Sequence, residues 1–258
     1  MADRSKAVAI IPARYASTRF PGKPLALIGG VTMIQRVYER VSMAKLVGEV
    51  YVATDDKRIA EVVEGFGGKH VMTSPALRSG TDRCAAAARK IKGDIIANIQ
   101  GDEPFISPKT IDAAISALLK SPDGMMSTAA IRIKDPELLT SENVVKVVTD
   151  RNGNALYFSR AVIPHLRGKS SREYVSGFPF LKHLGIYIYR RDFLQKLTKF
   201  AATPLELAEK LEQLRVLENG YPIRVAVVKE ESISVDVPSD IAAAEKHIMN
   251  LTSKAKRN

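Results

Sequence analysis

The pattern that most constrains the fold of this chain is an alternation of short apolar runs with amphipathic stretches. Residues 7–11 form an uninterrupted apolar run that ends at Pro12, which is typical of a buried strand. Alternating helical and strand-like segments then follow at 33–44, 49–53, 59–66, Val71, 84–88, 94–100 and 108–119. Repetition of this kind predicts an α/β fold with a mostly parallel sheet and helices on both faces.

The middle of the chain has a different pattern, typical of antiparallel pairing. Strand-like segments at 144–149 and 156–159 flank residues 150–154, which contain the Asn-Gly pair favoured in hairpin turns. We therefore predict one domain over 1–258, with a core at about 1–143 and 204–258. The predicted antiparallel insertion covers about 144–203.

Two further segments, at 183–189 and 207–217, have side chains patterned so that one face differs from the other. Between residues 183 and 189, His183, Tyr187 and Tyr189 alternate with aliphatic residues, so they share one face of a predicted strand. That face could line a pocket, or it could simply be exposed to solvent. Leucines at helical spacing over 207–217 predict one amphipathic helix that ends at Asn219.

The charge of the chain favours an anionic partner. Lys and Arg total 39 against 28 Asp and Glu, a net charge of +11. Nucleic acid, a membrane surface and a phosphorylated small molecule all fit this excess. Nucleic acid is disfavoured because the chain has no recognised binding motif and only 6% aromatic residues.

The cysteine content and the absence of long apolar runs predict the cellular compartment of the protein. Cys84 is the single cysteine, so no intrachain disulfide or Cys-rich zinc site can form. The apolar residues that follow the N-terminus are too few for a signal peptide, and no apolar run approaches the roughly 18 residues of a membrane span. We therefore expect a cytoplasmic protein without membrane insertion.

The loop after the first predicted strand is the strongest candidate for an anion site. It spans residues 12–24 and carries three cations, Arg14, Arg19 and Lys23. Open α/β sheets bind ligands at the carboxyl ends of their strands, and these cations can neutralise phosphates there. The loop matches neither a Walker A sequence nor G-x-G-x-x-G, which disfavours a dinucleotide oxidoreductase.

Acidic residues follow two other predicted strands. Asp102 and Glu103 could be Mg²⁺ ligands, since Mg²⁺ takes one or two carboxylates together with phosphate oxygens, or they could be surface acids of a turn. Asp236 is a second candidate ligand, although an acid just before Pro238-Ser239 is also typical of a helix cap, and Ser239 suits the N-cap of a final helix.

A third candidate element is the predicted helix start at Ser79-Gly80, which Arg78 precedes. A helix N-terminus with small residues can hold a base or a phosphate. An ordinary capped helix would have the same sequence, so both interpretations stay open.

Nine segments occur in the order in which one known family carries them: IIPAR at 10–14, STRFPGKPL at 17–25, ATD at 53–55, SGTDR at 79–83, QGDEP at 100–104, ALYFSR at 155–160, HLGIY at 183–187, LEQLR at 211–215 and VD at 235–236. Through them the chain resembles the 3-deoxy-D-manno-octulosonate (Kdo) cytidylyltransferases, or CMP-Kdo synthetases, over nearly its whole length. The resemblance implies a Rossmann-like nucleotidyltransferase core. It also implies a homodimeric, Mg²⁺-dependent enzyme that converts CTP and Kdo to CMP-Kdo and pyrophosphate for lipopolysaccharide synthesis.

The same resemblance assigns roles to individual residues. The expected catalytic residues are Arg14, Lys23, Asp102 and Asp236, of which the first two hold the triphosphate and the last two the metal. Those expected around the base and ribose are Pro12, Ala13, Arg78, Ser79 and Gly80. Those expected to bind the sugar acid are Gln100, Arg160, His183, Tyr187, Glu212 and Gln213. The resemblance also implies that the insertion at about 144–203 serves sugar binding and dimer contacts.

The chain departs from the family pattern at residues 76–78, Ala-Leu-Arg, where many relatives carry an acid and a histidine. This departure affects the loop expected beside the base rather than the reaction. A CMP-sialate synthetase, or an enzyme for another sugar acid such as 8-amino-Kdo, is the neighbouring alternative.

Overall fold

A computed structural model of the chain describes residues 7–16, 20–170, 173–230 and 232–255. Residues 17–19, which belong to the predicted anion-binding loop and include Arg19, lie outside the described residues. The elements below are those of the described part of the chain.

Strands and helices alternate through much of the chain, as the apolar pattern predicts. The strands are β1 (Ala7–Ala13), β2 (Leu27–Ile28), β3 (Val31–Thr32), β4 (Val47–Thr54), β5 (Lys69–Met72), β6 (Ile95–Ile99), β7 (Met126–Arg132), β8 (Lys146–Thr149), β9 (Ala155–Ser159), β10 (Leu181–Arg190) and β11 (Ile223–Val228). The helices are α1 (Met33–Ser42), α2 (Lys57–Gly65), α3 (Gly80–Ala88), α4 (Pro108–Leu119), α5 (Pro136–Thr140), α6 (Tyr174–Gly177), α7 (Arg191–Leu197), α8 (Pro204–Glu209), α9 (Gln213–Glu218) and α10 (Asp240–Ala255), with one 3-10 turn at Lys23–Leu25. None of these described helices is both long enough and apolar enough to cross a membrane.

The chain divides into two compact units, and the first comprises Met1–Ile111 and Ser232–Asn258. Four of its strands lie side by side in the order β6-β1-β4-β5 and are parallel, while β2 and β3 form a separate antiparallel pair. The residues of β1 from Ala7 to Ile11 are almost completely buried, which explains their unbroken apolar run. The parallel α/β pattern predicted from the sequence is therefore confirmed.

The second unit comprises Asp112–Glu231 and contains the antiparallel pairs. Strand β10 pairs antiparallel with β7 and β8, and β8 pairs antiparallel with β9, while β11 is parallel to β7. The hairpin predicted around Asn152-Gly153 is confirmed, and Gly153 has the positive φ of 79° that a glycine tolerates in this turn.

The prediction of one helix over the leucine-rich segment 207–217 is wrong. The structure has two short helices, α8 and α9, and Lys210 separates them with a left-handed φ of 55°. Leu207 is consequently exposed while Leu211 and Leu214 are buried. The break makes Glu212 the residue that precedes α9 and makes Gln213 its first residue.

A buried ion pair joins α3 to the end of β4 in the first unit. The Arg83 side chain is fully buried, and its guanidinium lies 3.0 Å from Asp55 Oδ2 and donates a hydrogen bond to Thr73 Oγ1. A buried guanidinium needs such partners, since its desolvation is otherwise costly. The pair fixes the helix behind the Ser79-Gly80 turn.

Candidate active site

The carboxyl ends of the neighbouring strands β1 and β6 lie beside two glycines, Gly80 and Gly101. A Cβ atom added to Gly101 would lie 3.1 Å from the Pro12 carbonyl oxygen, so only glycine fits there without a shift. A Cβ added to Gly80 would lie 3.4 Å from Pro12 Cγ and 3.8 Å from Gln100 Oε1. Three predicted site residues, Pro12, Gly80 and Gln100, are therefore neighbours, while Ala13 is the buried last residue of β1.

The basic residues expected beside the nucleotide are linked by a hydrogen bond. Arg14 Nη2 donates to the Arg78 carbonyl oxygen at 2.7 Å, which joins the loop after β1 to the turn before α3. Ser79 is the N-cap of α3 and forms a capping box with Asp82. The cap interpretation of Ser79 is thus confirmed, whereas the structure does not test its expected role beside the ribose.

Three of the four charged residues expected to be catalytic converge in the first unit. Lys23 Nζ donates to Asp102 Oδ2 at 2.8 Å and lies 3.3 Å from Asp236 Oδ1. A backbone hydrogen bond of 2.9 Å from Val235 N to the Asp102 carbonyl oxygen holds the two acidic segments side by side. The two carboxylates therefore face one cationic group.

This arrangement also fits a divalent cation. Among the described residues no cluster of three or more His, Cys, Asp or Glu side chains is arranged to hold a metal ion. Two carboxylates directed at one positive charge, as Asp102 and Asp236 are at Lys23, match the one or two carboxylates that Mg²⁺ usually takes from a protein. Phosphate oxygens and water commonly complete such a shell.

The second unit gathers the aromatic and amide candidates. The His183 and Tyr187 rings lie 5.5 Å apart, and the Tyr187 hydroxyl donates to Gln213 Oε1 at 3.3 Å. The Gln213 side chain is almost fully buried, yet its Nε2 has no hydrogen-bond partner within the described protein. A buried amide donor without a partner is costly unless a ligand or water satisfies it, so Gln213 is suited to binding a polar molecule.

Arg160 is held by the backbone around it. Its Nε donates to the Glu209 carbonyl oxygen at 2.8 Å and its Nη1 to the Glu142 carbonyl oxygen at 2.9 Å. The Glu209 carboxylate accepts from Arg160 N at 2.9 Å and from Ser159 Oγ at 2.6 Å. These contacts fix the guanidinium and, as far as the described residues are concerned, leave Nη2 and the second Nη1 hydrogen for a carboxylate.

Burial determines the charge state of two of these side chains. It lowers the pKa of His183 from 6.5 to about 3, so the imidazole is neutral at neutral pH. Burial, together with the nearby Glu212 carboxylate, raises the pKa of the Tyr187 hydroxyl above its ordinary value. Both groups can thus form hydrogen bonds in their neutral forms, which suits recognition of hydroxyl groups.

The lowered pKa of His183 makes the stability of the protein depend on pH. Between pH 6.5 and about pH 3 the unfolded chain binds a proton at this histidine that the folded chain does not, so the free energy of unfolding falls as the pH is lowered. We expect His183→Gln to flatten this dependence by up to about 1.4 kcal/mol per pH unit. Urea denaturation between pH 7 and pH 5 measures it. His70→Gln is the matched control, and an equal flattening in both variants would contradict the assignment to His183.

Three supporting residues were not predicted from the sequence. Thr128 Oγ1 lies 2.9 Å from His183 Nε2, Glu209 holds Arg160, and the buried Lys146 donates to the carbonyl oxygens of Arg160, Val144 and Ser141. The complete burial of Lys146 marks it as unusual only in the structure. In the sequence it stands among ordinary strand residues and attracts no notice. Glu209 carries no signal beyond lying close to the LEQLR segment.

Comparison with known proteins gives one consistent family. The family model described as "Cytidylyltransferase" matches residues 8–233. A 3-deoxy-manno-octulosonate cytidylyltransferase of Geobacter metallireducens is 56% identical over 92% of this chain and 95% of that protein. The protein of the same name from Bacteroides thetaiotaomicron is 48% identical over 95% of this chain and 99% of its own length.

Solved structures agree with the sequence comparison. A CMP:2-keto-3-deoxy-manno-octonic acid synthetase complexed with CTP is 40% identical, covers 95% of this chain and 99% of its own, and has a TM-score of 0.89. A cytidylyltransferase from Leptospira borgpetersenii has a TM-score of 0.63 at 17% identity, covering 95% of this chain and 87% of its own, so that likeness concerns the fold alone. The predicted nucleotidyltransferase fold, with a mostly parallel sheet and antiparallel strands, is confirmed.

Proposed function

The chain belongs to the cytidylyltransferase family, and we propose that it transfers the CMP group of CTP to Kdo, giving CMP-Kdo and pyrophosphate. The observation that carries the proposal is the convergence of Lys23, Asp102 and Asp236, which are a phosphate-binding cation and two carboxylates able to hold a metal. The high identity to relatives named for this reaction supports the choice of substrates.

The nucleotide is assigned to the first unit. Arg14 and Lys23 would neutralise the triphosphate, and Pro12, Ala13, Arg78, Ser79 and Gly80 would surround the base and ribose. The close packing of Gly80 and Gly101 against Pro12 supports this assignment, because it brings the start of α3 and the residues after β6 to the end of β1. Residues 76–78 are the place where contacts to the base would differ from those of other family members.

Mg²⁺ is the proposed cofactor, held by Asp102 and Asp236. When bound there, it would neutralise charge on phosphate oxygens and lower the pKa of a nearby hydroxyl group. Lys23, which now occupies the position between the two carboxylates, would then be available for the β- and γ-phosphates.

The sugar acid is assigned to Arg160, His183, Tyr187, Glu212 and Gln213, all of which belong to the second unit. Arg160 suits the carboxylate, because a fixed guanidinium can make two parallel hydrogen bonds to it. The neutral His183 suits hydroxyl groups, and so does Nε2 of Gln213, which has no partner among the described residues. We therefore assign His183 to recognition rather than to proton abstraction.

The reaction is an in-line displacement at the α-phosphorus. The anomeric hydroxyl of the sugar forms the new O–P bond and gives up its proton to solvent, while the bond from the α-phosphorus to the bridging oxygen breaks and pyrophosphate leaves. Negative charge grows on the leaving oxygens, so Arg14 and Lys23 contribute by fixed electrostatic stabilisation. Positioning both substrates supplies much of the remaining rate increase.

The biological setting is proposed on the same basis. CMP-Kdo is an activated sugar for lipopolysaccharide synthesis, and we propose that a homodimer makes it in the cytoplasm. The finding that no described helix could span a membrane is compatible with this location.

Pyrophosphate release tests the proposed function. With CTP, Mg²⁺ and Kdo all present we expect turnover, and with UTP or ATP in place of CTP we expect a rate lower by at least about 10²-fold, because a base site rejects a wrong pattern of hydrogen bonds. Turnover of all three nucleotides at similar rates would contradict the assignment of a cytidine-specific site.

A panel of sugar acids separates the neighbouring alternatives in the same assay. Kdo, 8-amino-Kdo and sialic acid should be compared by kcat/KM at saturating CTP. We expect Kdo to be the best of the three. A higher value for sialic acid would favour a CMP-sialate synthetase instead.

A further inference from the structure

The hydroxyl group of Thr128, in the second unit, has no role in the proposed function, yet it contacts three polar groups. Thr128 Oγ1 lies 2.9 Å from His183 Nε2, 2.7 Å from the Ile186 carbonyl oxygen and 3.3 Å from the Leu184 carbonyl oxygen. Thr128 is completely buried, and His183 is only 8% exposed. In such surroundings each donor must meet an acceptor, because a buried polar group without a hydrogen bond lowers the stability of the fold.

Counting protons assigns the tautomer of His183. A threonine hydroxyl has one proton to donate, and its shortest contact is with the Ile186 carbonyl oxygen, which can only accept. The hydroxyl must therefore accept at its contact with His183, so His183 Nε2 carries a proton and donates it. Because burial keeps the ring neutral, Nδ1 is then unprotonated and can accept a hydrogen bond.

The same hydroxyl also stabilises an irregular strand. Along β10, Leu184 is opposite Ala129 and Tyr187 is opposite Thr128, so the bulge inserts two extra residues, one of which is Ile186. Two extra residues preserve the alternation of faces, which is why His183 and Tyr187 still share one face. The hydrogen bond from Thr128 to the Ile186 carbonyl oxygen lies within this bulge.

We propose that Thr128 is a positioning residue for sugar-acid recognition, because it holds His183 as the Nε2–H tautomer and leaves Nδ1 to accept from a hydroxyl group of the sugar. This inference rests on the proposed function, which assigns His183 to the sugar acid. Thr128 acts through His183 and does not itself touch the substrate.

Steady-state kinetics of paired variants test the consequence. Thr128→Val keeps the shape and removes the hydroxyl, and we expect the KM for Kdo to rise about tenfold while the KM for CTP changes by less than about twofold. Thr128→Ser retains the hydroxyl and should stay close to wild type. Ser127→Ala is the control, because it removes a neighbouring buried hydroxyl that donates to the Ala114 carbonyl oxygen. Equal effects of Thr128→Val and Ser127→Ala on the KM for Kdo would overturn the proposal.

Nitrogen-15 NMR of histidine-labelled protein tests the tautomer without any substrate. The four histidines give separate signals in a long-range ¹H–¹⁵N spectrum, and loss of one set in His183→Gln identifies His183. We expect a protonated Nε2 and an unprotonated Nδ1 in the wild type and in Thr128→Ser, and loss of this single pattern in Thr128→Val. A protonated Nδ1 in the wild type, or an unchanged His183 signal in Thr128→Val, would overturn the proposal.

A double variant distinguishes the failure of this inference from the failure of the proposed function. If Thr128 acts through His183, adding Thr128→Val to His183→Ala should not raise the KM for Kdo further. A further rise would overturn the positioning role alone. An unchanged KM for Kdo in His183→Ala would overturn the sugar-recognition role of His183 itself, and with it this inference.

Discussion

Asp102→Asn is expected to lower the turnover of CTP and Kdo by at least about 10³-fold. Asp102 Oδ2 lies 2.8 Å from Lys23 Nζ, and its carboxylate is one of the two that face the common cation position. Asparagine keeps the size of the side chain but removes its negative charge, so the metal would lose an anionic ligand and Lys23 would lose one of its two ion-pair partners. Mg²⁺ titration monitored by pyrophosphate release measures the loss.

The Asp102 prediction requires that the nucleotide still binds. We expect calorimetry with CTP to show binding to Asp102→Asn, because the assigned base and ribose contacts do not involve this carboxylate. Asp94→Asn is the control, since Asp94 is an exposed acid just before β6, the strand that Asp102 follows. Turnover close to wild type in Asp102→Asn would contradict its assignment as a metal ligand.

Arg160→Lys is expected to lower kcat/KM for Kdo by about 10²-fold and to leave the KM for CTP nearly unchanged. Lysine retains the charge but cannot make two parallel hydrogen bonds to a carboxylate. It also loses the paired contacts of Nε and Nη1 to the carbonyl oxygens of Glu209 and Glu142, so its ammonium would not be fixed in place. Steady-state kinetics with each substrate varied in turn measures both constants.

Arg151→Lys is the control for this substitution, because Arg151 lies exposed in the hairpin turn of the same unit. It should leave both kinetic constants near their wild-type values. A loss in Arg160→Lys that affects CTP and Kdo equally would contradict the assignment of Arg160 to the sugar acid.

The sequence predicted the elements whose causes are local. An apolar run such as 7–11 indicates a buried strand, and the Asn-Gly pair at 152–153 specifies a tight turn, so both were located correctly. The break at Lys210 was not predicted, because helical spacing of leucines continues through it and no glycine or proline marks it. Its causes are tertiary, since Glu209 is engaged by Arg160 and Ser159 while Leu211 is buried.

The candidate site could be predicted only in part, because some of its contacts join residues that are far apart in the sequence. The position of Lys23 and Asp102 after buried strands indicated phosphate and metal chemistry. The pairing of Asp102 with Asp236 is a long-range contact that no spacing reveals, and only the resemblance to a family suggested it before the structure brought both to Lys23. Thr128 was not predicted, because its importance depends on the bulge in a different strand.

The reaction itself can be followed directly by ³¹P NMR of one mixture that contains the protein, CTP, Mg²⁺ and Kdo. We predict that the CTP signals disappear while one phosphodiester signal and the pyrophosphate signal grow in equal molar amounts, and that omission of Kdo stops all three changes. Consumption of CTP without Kdo, or release of pyrophosphate without a matching phosphodiester, would contradict the assignment of this chain as the enzyme that joins CMP to Kdo.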